Sequence, residues 1–398
     1  MRTAGFASPS PIQAAAWPAV ESGRDVIGIA STGSGKTLAF LAPVFARITA
    51  DASVLVSPLT LAVVLAPTRE LAVQIEKECS RFGGPLGVAS ACLYGGAPRE
   101  KQLALIEGGV HVIIATPGRL NDFLETGQVR LDDCSYVVLD EADRMLDLGF
   151  EPQIHAVLKI VGSRRQTLLF SATWPQEVRT LAAALLVRPG PPCHVSVGTS
   201  SERLTASRNV QQSIQFLQKE SEREPAALRA LRRMPPEARV LVFCSSKKAV
   251  DALARTLYRE KLPHGVMHGD KDQHERERAL EAFRSGGIPI LVATDVAARG
   301  LDVKGVELVL NYEFPMRTED YIHRIGRTGR AGAKGLSLTF MTAADAAHAS
   351  ALVTILKESG VPKAEIPKEL LKMAKLMRVQ SPALSAPKPQ PGGGGLYG

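Results

Sequence analysis

The sequence predicts an α/β protein built from two parallel sheets, each flanked by helices and joined by a short linker. Short apolar runs alternate with helical patterns along the chain, which is typical of buried parallel strands with crossover helices. A polar stretch at 198–209 separates two such series. Only the first series contains the Gly-rich run 33–37. We therefore expect one nucleotide loop for two domains, and a cleft between them.

Each series is defined by its apolar runs. The first has Asp25–Ile29, Ala62–Leu65, Val110–Ala115, Tyr136–Leu139 and Thr167–Phe170. The second has Val240–Cys244, Ile290–Ala293, Leu308–Asn311 and Gly335–Phe340. We expect domains at 1–197 and 210–345, a linker at 198–209, and a helical basic extension with a disordered Pro/Gly-rich tail at 346–398. The basic half of this extension either helps to hold RNA or is a solvated helix.

Composition limits the class of partner. The 398 residues are 45% hydrophobic, enough for two cores. Forty-eight Lys and Arg against 40 Asp and Glu give a net charge of +8 and a pI near 9.3, an excess that suits a polyanion. The five cysteines show no Cys-x-x-Cys pair and no His at metal-ligand spacing, so we expect neutral thiols in a reducing compartment.

No segment of the sequence predicts a membrane protein. The uncharged stretch Ala52–Thr68 contains Pro58 and Pro67 and is short for a span, so a strand is expected there instead. The first five residues show no apolar signal segment. We therefore expect an intracellular protein. We also expect it to act as a monomer.

Two motifs indicate phosphoryl chemistry. In the loop 30–37 a Gly-rich turn precedes a helix, so backbone N–H groups would face a triphosphate. Asp140–Asp143 directly follows an apolar run. We expect Asp140 to hold Mg²⁺ largely through water and Glu141 to polarise the attacking water. The predicted ATP contacts of the loop are Ser31, Thr32, Gly33, Ser34, Gly35, Lys36, which reaches the β and γ phosphates, and Thr37, which ligates Mg²⁺.

The second series offers basic residues for the same reaction. His323 and Arg327 are four residues apart, so a helix from Glu319 would place them on one face. Gly326 and Gly329 would loosen the path to Arg330. The two arginines are candidate charge-stabilising fingers, and the alternative is an ordinary basic helix face. In the first series Ser171 and Thr173 follow a strand, where their hydroxyls either bond Asp143 or form a simple turn.

Other motifs recur in a fixed order along the chain. They are Gly5–Gln13, Pro67–Ala72, Gly95-Gly96, Thr116–Leu120, Ser171–Thr173, Ala293–Asp302 and His323–Arg330. With the loop and Asp-Glu-Ala-Asp, they make residues 5–345 resemble a DEAD-box ATP-dependent RNA helicase. Ala30 stands where the general phosphate-loop pattern has its first Gly.

The resemblance implies two RecA-like domains, an RNA-dependent ATPase and the cofactors ATP and Mg²⁺. It implies that Gln13 reads adenine, Phe6 packs beside the base and Asp302 contacts the ribose. It also implies that the finger arginines reach across the cleft, and that the nucleotide state is passed on by Asp143, Ser171, Thr173 and His323. Only twelve residues precede Gln13, so the family's upstream aromatic is missing. Either the chain is truncated or adenine recognition is incomplete.

The resemblance also implies an RNA surface across both domains. Small residues let phosphates approach backbone N–H groups, and arginines neutralise charge. Aromatic residues are 5% of the chain and do not interleave with these basic residues, so contact to phosphate and 2′-OH with little sequence preference is expected. The predicted RNA contacts are Arg69, Gly95, Gly96, Thr116, Gly118, Arg119, Gly269, Gln273, Arg276 and Thr294.

The function predicted from these motifs is ATP-driven domain closure with local RNA strand separation or ribonucleoprotein remodelling. An ATP-gated RNA clamp would use the same residues, and a DNA translocase fits the Asp-Glu-Ala-Asp and Ser-Ala-Thr motifs less well. Phe170–Pro175, Asp143–Asp147 and Leu396–Gly398 resemble the branch used in nucleolar ribosome assembly. We therefore expect ribonucleoprotein assembly partners and a nuclear or nucleolar location, with the cytoplasm as the alternative.

Overall fold

Both predicted parallel sheets are present. The computed structural model describes residues 8–31, 33–56, 59–197, 209–295, 303, 305–329 and 333–380. The strands of the first sheet lie between residues 26 and 197, and those of the second between residues 210 and 341. Every strand pairing in either sheet is parallel.

The first sheet has seven strands in the order β3-β4-β2-β5-β6-β1-β7. They are β1 Val26–Ala30, β2 Ala62–Leu65, β3 Ser90–Leu93, β4 Val112–Ala115, β5 Tyr136–Leu139, β6 Gln166–Ser171 and β7 Cys193–Val197. Its helices are α1 Pro11–Glu21, α2 Lys36–Thr49, α3 Ala52–Val56, α4 Arg69–Gly83, α5 Arg99–Ile106, α6 Pro117–Glu125, α7 Ala142–Asp147, α8 Glu151–Val161 and α9 Gln176–Leu185.

The second sheet has six strands in the order β10-β11-β9-β12-β13-β8. They are β8 Val210–Phe216, β9 Arg239–Cys244, β10 His264–Met267, β11 Ile290–Thr294, β12 Val306–Asn311 and β13 Gly335–Met341. The helices in this part are α10 Arg223–Arg232, α11 Lys247–Arg259, α12 Gln273–Arg284, α13 Thr318–Ile325, α14 Ala349–Glu358 and α15 Lys368–Gln380. Single 3₁₀ turns lie at Gly84–Leu86, Glu220–Glu222 and Ala343–His348.

Apolar packing covers both faces of each sheet. In the first sheet Val63 and Leu65 of β2 face one cluster, and Ala62 and Val64 face the other. Inner strands buried on both faces must be apolar at every position, which is why they read as continuous runs. Helices α14 and α15 share a cluster with Tyr321 of α13 and with Val210 and Met341 of the second sheet, so residues 349–374 pack on that sheet.

Four strands, β3, β7, β8 and β10, were not predicted. All four lie at sheet edges, where one side of the strand is open and polar residues are tolerated. In β7 residues of intermediate burial alternate with exposed ones, which interrupts the apolar run. The expected strand in Ala52–Thr68 is present only as β2, because the helix α3 occupies the start of that stretch.

Neither the cysteines nor the apolar segments of the described residues indicate a redox site or a membrane span. Burial raises the pKa of Cys79, Cys92 and Cys134 to about 12, so these thiols stay protonated at neutral pH. Within the described residues, no helix is long and apolar enough to cross a bilayer.

Candidate functional site

The phosphate loop connects the carboxyl end of the inner strand β1 to the start of α2. Gly35, directly before α2, has φ 95°, in the left-handed region. A Cβ at this position would lie 2.7 Å from Gln13 Nε2 and 2.9 Å from Ser10 Oγ. Both the backbone conformation and the lack of space therefore require glycine here.

Gln13 braces this loop from α1. Its Nε2 donates to the Gly35 carbonyl at 3.1 Å, and its Oε1 accepts from the Ser10 backbone N–H at 3.0 Å. An amide has two N–H groups and two oxygen lone pairs, so one donor and one acceptor position remain for a base edge. Phe6 and Thr32, also predicted to contact ATP, lie outside the described residues.

Lys36 is buried at the start of α2. Its ammonium donates to the carbonyls of Ala30 at 2.7 Å and Ser31 at 3.0 Å, which leaves one of its three N–H groups. Burial lowers the pKa of Lys36, while the nearby carboxylates of Asp140 and Glu141 oppose the shift. An anionic ligand would offset the same desolvation.

Two carboxylates lie at the end of β5, which is separated from β1 by β6. Asp140 is buried, and its Oδ1 accepts the Glu141 backbone N–H at 3.0 Å. Burial raises the pKa of Asp140 to about 7, although Lys36 acts in the opposite direction. Glu141 is also buried and has φ 53°, a conformation that costs about 1–3 kcal/mol for a residue with a side chain. The fold thus places a strained, buried carboxylate at the strand end.

The donors near this pair fit magnesium. Thr37 is half-buried at the second position of α2, and its hydroxyl and the Asp140 carboxylate are hard oxygen donors, the type that Mg²⁺ prefers. Among the described residues no group of three or more His, Cys, Asp or Glu side chains is arranged to hold a metal. A magnesium ion held by one carboxylate together with phosphate oxygens does not require such a group.

Asp143 connects three elements. Its Oδ2 accepts from Thr173 Oγ1 at 2.6 Å and from the Thr173 backbone N–H at 3.1 Å, and lies 3.4 Å from His323 Nε2 of α13. Burial alone would raise the pKa of Asp143, but His323 and Thr173 hold it below its usual range. Ser171 does not bond to Asp143, because its buried hydroxyl finds no partner among the described residues. Of the two hydroxyls that were candidates to bond Asp143, that of Thr173 does so and that of Ser171 does not.

Arg327 brings a charge from the second sheet to this site. It is buried, its Nε donates to the His323 carbonyl at 3.2 Å, and its positive charge contributes to lowering the pKa of Lys36. Gly329, two residues later, has φ 66°, and a Cβ there would lie 2.7 Å from Val210 Cγ2. Arg330 and Asp302 lie outside the described residues.

Comparison with known proteins also divides the chain into two parts. The pattern described as DEAD/DEAH box helicase matches residues 10–181, and that described as helicase conserved C-terminal domain matches residues 224–332. The chain is 50% identical over 375 residues to DEAD-box ATP-dependent RNA helicase 46 of Arabidopsis thaliana, covering 94% of this chain and 56% of that protein. It is 44% identical over 396 residues to ATP-dependent RNA helicase DBP2 of Candida glabrata, covering 99% of this chain and 70% of that protein.

The chain belongs to the DEAD-box helicase family. It spans little more than half the length of the Arabidopsis relative. A solved structure of S. cerevisiae Dbp5 bound to RNA and ADP BeF3 is similar over 94% of this chain and 95% of that one, with a TM-score of 0.78 and 28% identity. The two sheets are accordingly the two RecA-like domains of a DEAD-box helicase, here called the first and second domain.

The predicted RNA contacts of this DEAD-box chain follow other strand ends. In open parallel sheets ligands bind beyond the carboxyl ends of the strands, and the order of the first sheet puts β3, β4 and β2 beside one another, away from β1. Gly95 and Gly96 follow β3, Thr116 and Gly118 follow β4, and Arg69 follows β2. No heavy atom lies within 4 Å of a Cβ built on Gly95, Gly96 or Gly118. This surface is open to a backbone or a phosphate.

Two of the three arginines predicted to bind RNA pair across the two domains. Arg276 of α12 donates to Glu70 of α4 at 2.6 Å, and Arg69 of α4 pairs with Glu277 of α12. Arg69 also lies over the ring of Tyr94, 4.4 Å from its centroid. The buried Arg69 Nη1 and Arg276 Nε have no hydrogen-bond partner within the described residues. Both donors are therefore buried and unsatisfied in this part of the structure.

The remaining predicted contacts are spread over both domains. Arg119 donates to the Ala97 carbonyl at 3.1 Å, which ties α6 to the loop after β3. Gly269 is exposed after β10, and Thr294 ends β11. Gln273, the first residue of α12, accepts from Arg276 at 3.3 Å and donates to Glu277 at 3.2 Å.

The sequence reasoning missed the charged partners that connect the domains. Arg144 pairs with Asp320, and Asp147 pairs with Arg317, in both cases joining α7 to the segment that contains α13. Glu70 and Glu277 were missed in the same way. The available signal was their position near predicted residues, since all except Arg317 lie within four residues of one, but sequence does not show which charges meet across a cleft.

Proposed function

We propose that the chain is an RNA-dependent ATPase that acts as an RNA helicase. One observation carries the proposal: the second domain contributes His323 to Asp143 and the charge of Arg327 to the phosphate loop of the first domain. A site completed by both domains couples the reaction to their closure. The RNA-bound Dbp5 structure and the helicase names of the relatives support the same function.

ATP would lie over the loop 31–37, with phosphate contacts from the free N–H of Lys36 and from Ser34 Oγ, which is buried without a partner within the described residues. Magnesium held by Thr37 and Asp140 would neutralise charge on the β and γ phosphates. Glu141 orients and polarises the attacking water. Arg327, and Arg330 by the resemblance of its motif to the family, would stabilise charge on the γ-phosphate, and such a finger supplies about 10³–10⁵ in rate.

RNA would bind to the strand ends of both domains at once. Arg69 and Arg276 offer unpaired donors to phosphate, and the glycines after β3 leave room for the backbone. A single strand held across both domains can bend, whereas a duplex resists bending. Closure therefore expels one strand, and hydrolysis resets the open form.

Binding linkage tests this proposal. Because ATP and RNA both favour the closed form, each must tighten the other by the same factor. RNA affinity would be measured with ADP and with a non-hydrolysable ATP analogue at one fixed salt concentration. Equal affinities would overturn the closing-cleft mechanism. Tight ATP-dependent RNA binding without duplex release would identify the clamp instead, which the helicase names of the relatives do not favour.

We also propose a cellular role for the protein. The motif variants at 143–147 and 170–175 support nucleolar ribosome assembly, with the chain acting as a monomer among ribonucleoprotein assembly proteins. Purification of the protein with crosslinked RNA, followed by sequencing, tests this assignment. Recovery of messenger RNA without ribosomal precursors would contradict it and favour a cytoplasmic role.

A further inference from the structure

Asp147, the last residue of α7, binds arginines from both domains. Its Oδ2 accepts from Arg144 Nη1 of the same helix at 3.1 Å. Its Oδ1 pairs with Arg317, which immediately precedes α13 in the second domain. Arg144 is shared in turn, because the same Nη1 also pairs with Asp320 of α13. Two arginines and two carboxylates therefore alternate across the domain boundary.

The burial of Arg144 makes this arrangement significant. The Arg144 side chain is 2% exposed, and a buried charge that loses its partner is costly. Separation of the domains would remove Asp320 from Arg144. Asp147 would remain beside it, since the two residues lie three positions apart on one helix and already form a hydrogen bond.

We propose that Asp147 is an exchangeable partner that keeps Arg144 compensated in the open form and binds Arg317 in the closed form. In the open form both Asp147 oxygens are available to Arg144. On closure Asp320 also pairs with Arg144. One Asp147 oxygen is then released from Arg144 and accepts from Arg317. Asp147 and Arg317 are then positioning residues that favour closure without touching nucleotide or RNA. This inference rests on the proposed closing-cleft function.

A cavity lies beside the Asp147–Arg317 contact. A cavity of about 390 Å³ opens between the domains and is lined by residues including Leu146, Asp147, Val178, Arg317 and His323. The Arg317 side chain is 46% exposed, so water and salt ions reach its guanidinium. A partly exposed ion pair contributes little and weakens with salt. The Asp147–Arg317 contact therefore adjusts the closure equilibrium, whereas the dry Arg144–Asp320 pair supports the interface.

The test is the effect of Arg317→Gln on RNA affinity with a non-hydrolysable ATP analogue relative to ADP. We expect this ratio to fall about two- to fivefold at low salt, and the loss to shrink as salt rises. Arg317→Lys keeps the charge and should recover part of the ratio. Arg232→Gln is the matched control, because it removes the same charge from an exposed ion pair with Glu260 inside the second domain, and it should leave the ratio unchanged.

A double-mutant cycle shows whether Arg317 acts through Asp147. In an Asp147→Asn background Arg317→Gln should have no further effect on the ratio. An equal loss in both backgrounds would overturn the exchange. An unchanged ratio in Arg317→Gln alone would also overturn it, and this result is available even if Asp147→Asn fails to fold. No nucleotide dependence in the parent chain would instead remove the proposed function, and this inference with it.

Discussion

The two contacts between the domains differ in their exposure to water. On the nucleotide side Asp143 meets His323 and Arg144 meets Asp320, and the four side chains are between 2% and 9% exposed. On the RNA side Glu70 meets Arg276 and Arg69 meets Glu277, whose side chain is 53% exposed. The first contact is dry, whereas the second is open to solvent at Glu277, although Glu70 and Arg276 are only 11% and 19% exposed.

This difference assigns different tasks to the two contacts. Removing one partner of a buried, hydrogen-bonded charge pair costs about 2–5 kcal/mol, much of it from the charge left behind. An exposed ion pair contributes about 0–1 kcal/mol and is screened by salt. The nucleotide-side contact is therefore the one that is costly to break, whereas Glu277 holds Arg69 weakly enough for a phosphate to replace it.

The largest effect is expected where the nucleotide side carries out chemistry. Glu141→Gln should slow hydrolysis by about 10²–10⁴-fold, because the group that polarises water is lost, while ATP binding is retained. Lys36→Ala should weaken ATP binding itself. Single-turnover hydrolysis and nucleotide titration would be measured on both variants. Hydrolysis by Glu141→Gln at the parental rate would show that another group activates the water.

The next effect removes the dry contact across the cleft. His323→Ala should cost about 2–5 kcal/mol of the coupling between ATP and RNA, because Asp143 is left buried without its partner from the second domain. Coupling is measured as the RNA affinity ratio between ATP-analogue and ADP states. A loss no larger than that produced by Glu277→Gln would contradict the proposed difference between the two contacts.

Because Asp140 is buried on the nucleotide side, the stability of the fold should depend on pH. The folded pKa of Asp140 is about 7, above its unfolded value of about 4. Its ionisation therefore destabilises the ligand-free fold as pH rises from about 4 to about 7, by up to about 4 kcal/mol. The unfolding temperature of Asp140→Asn minus that of the parent should increase from pH 5 to pH 8. A difference independent of pH would show that Asp140 titrates normally.

A smaller effect tests the base end of the nucleotide site. Gln13→Ala should reduce the preference for ATP over GTP by about 1–3 kcal/mol, since the donor and acceptor facing adenine are removed. Both nucleotides would be titrated into parent and variant. Because Gln13 also braces Gly35, weaker binding of both nucleotides with an unchanged ratio would indicate that bracing is its only role.

The smallest effect belongs to the RNA side. Glu277→Gln frees Arg69 from a half-exposed partner, so RNA affinity should change by no more than about 1 kcal/mol. We expect tighter RNA binding, because Arg69 no longer has to release the Glu277 carboxylate before it binds a phosphate. The gain in affinity should disappear at high salt. RNA titrations at three salt concentrations would check this. Weaker binding would mean that Glu277 orients Arg69 for RNA rather than competing with it.

Sequence predicted the buried strands and the motif positions because both are local properties. Ala62–Leu65 and Tyr136–Leu139 are continuous apolar runs, and each coincides with a strand. The edge strands β7 and β8 were missed, since exposed side chains interrupt the apolar run in both. The helix carrying His323 begins at Thr318, one residue before its predicted start.

The candidate site was predictable as a set of residues but not as a set of partners. Spacing along the chain places Asp140 and Lys36 at strand ends, and strand ends in a parallel sheet share one edge. The sequence does not show that Arg276 meets Glu70 or that Arg317 meets Asp147, because those contacts depend on the angle between two domains. The free hydroxyl of Ser171 was equally hidden, since two strand-end hydroxyls look alike in sequence.

The two sheets are connected at their margins. The chain leaves the first sheet from β7 and enters the second at β8, and both strands are terminal in their sheets. Each sheet is consequently complete within one uninterrupted stretch of polypeptide, and no described strand is exchanged between them. Rotation of one half against the other therefore need not break a single strand-to-strand hydrogen bond. Two halves synthesised as separate polypeptides would each keep a full sheet, and their nucleotide-dependent association in solution would report closure as an ordinary binding reaction.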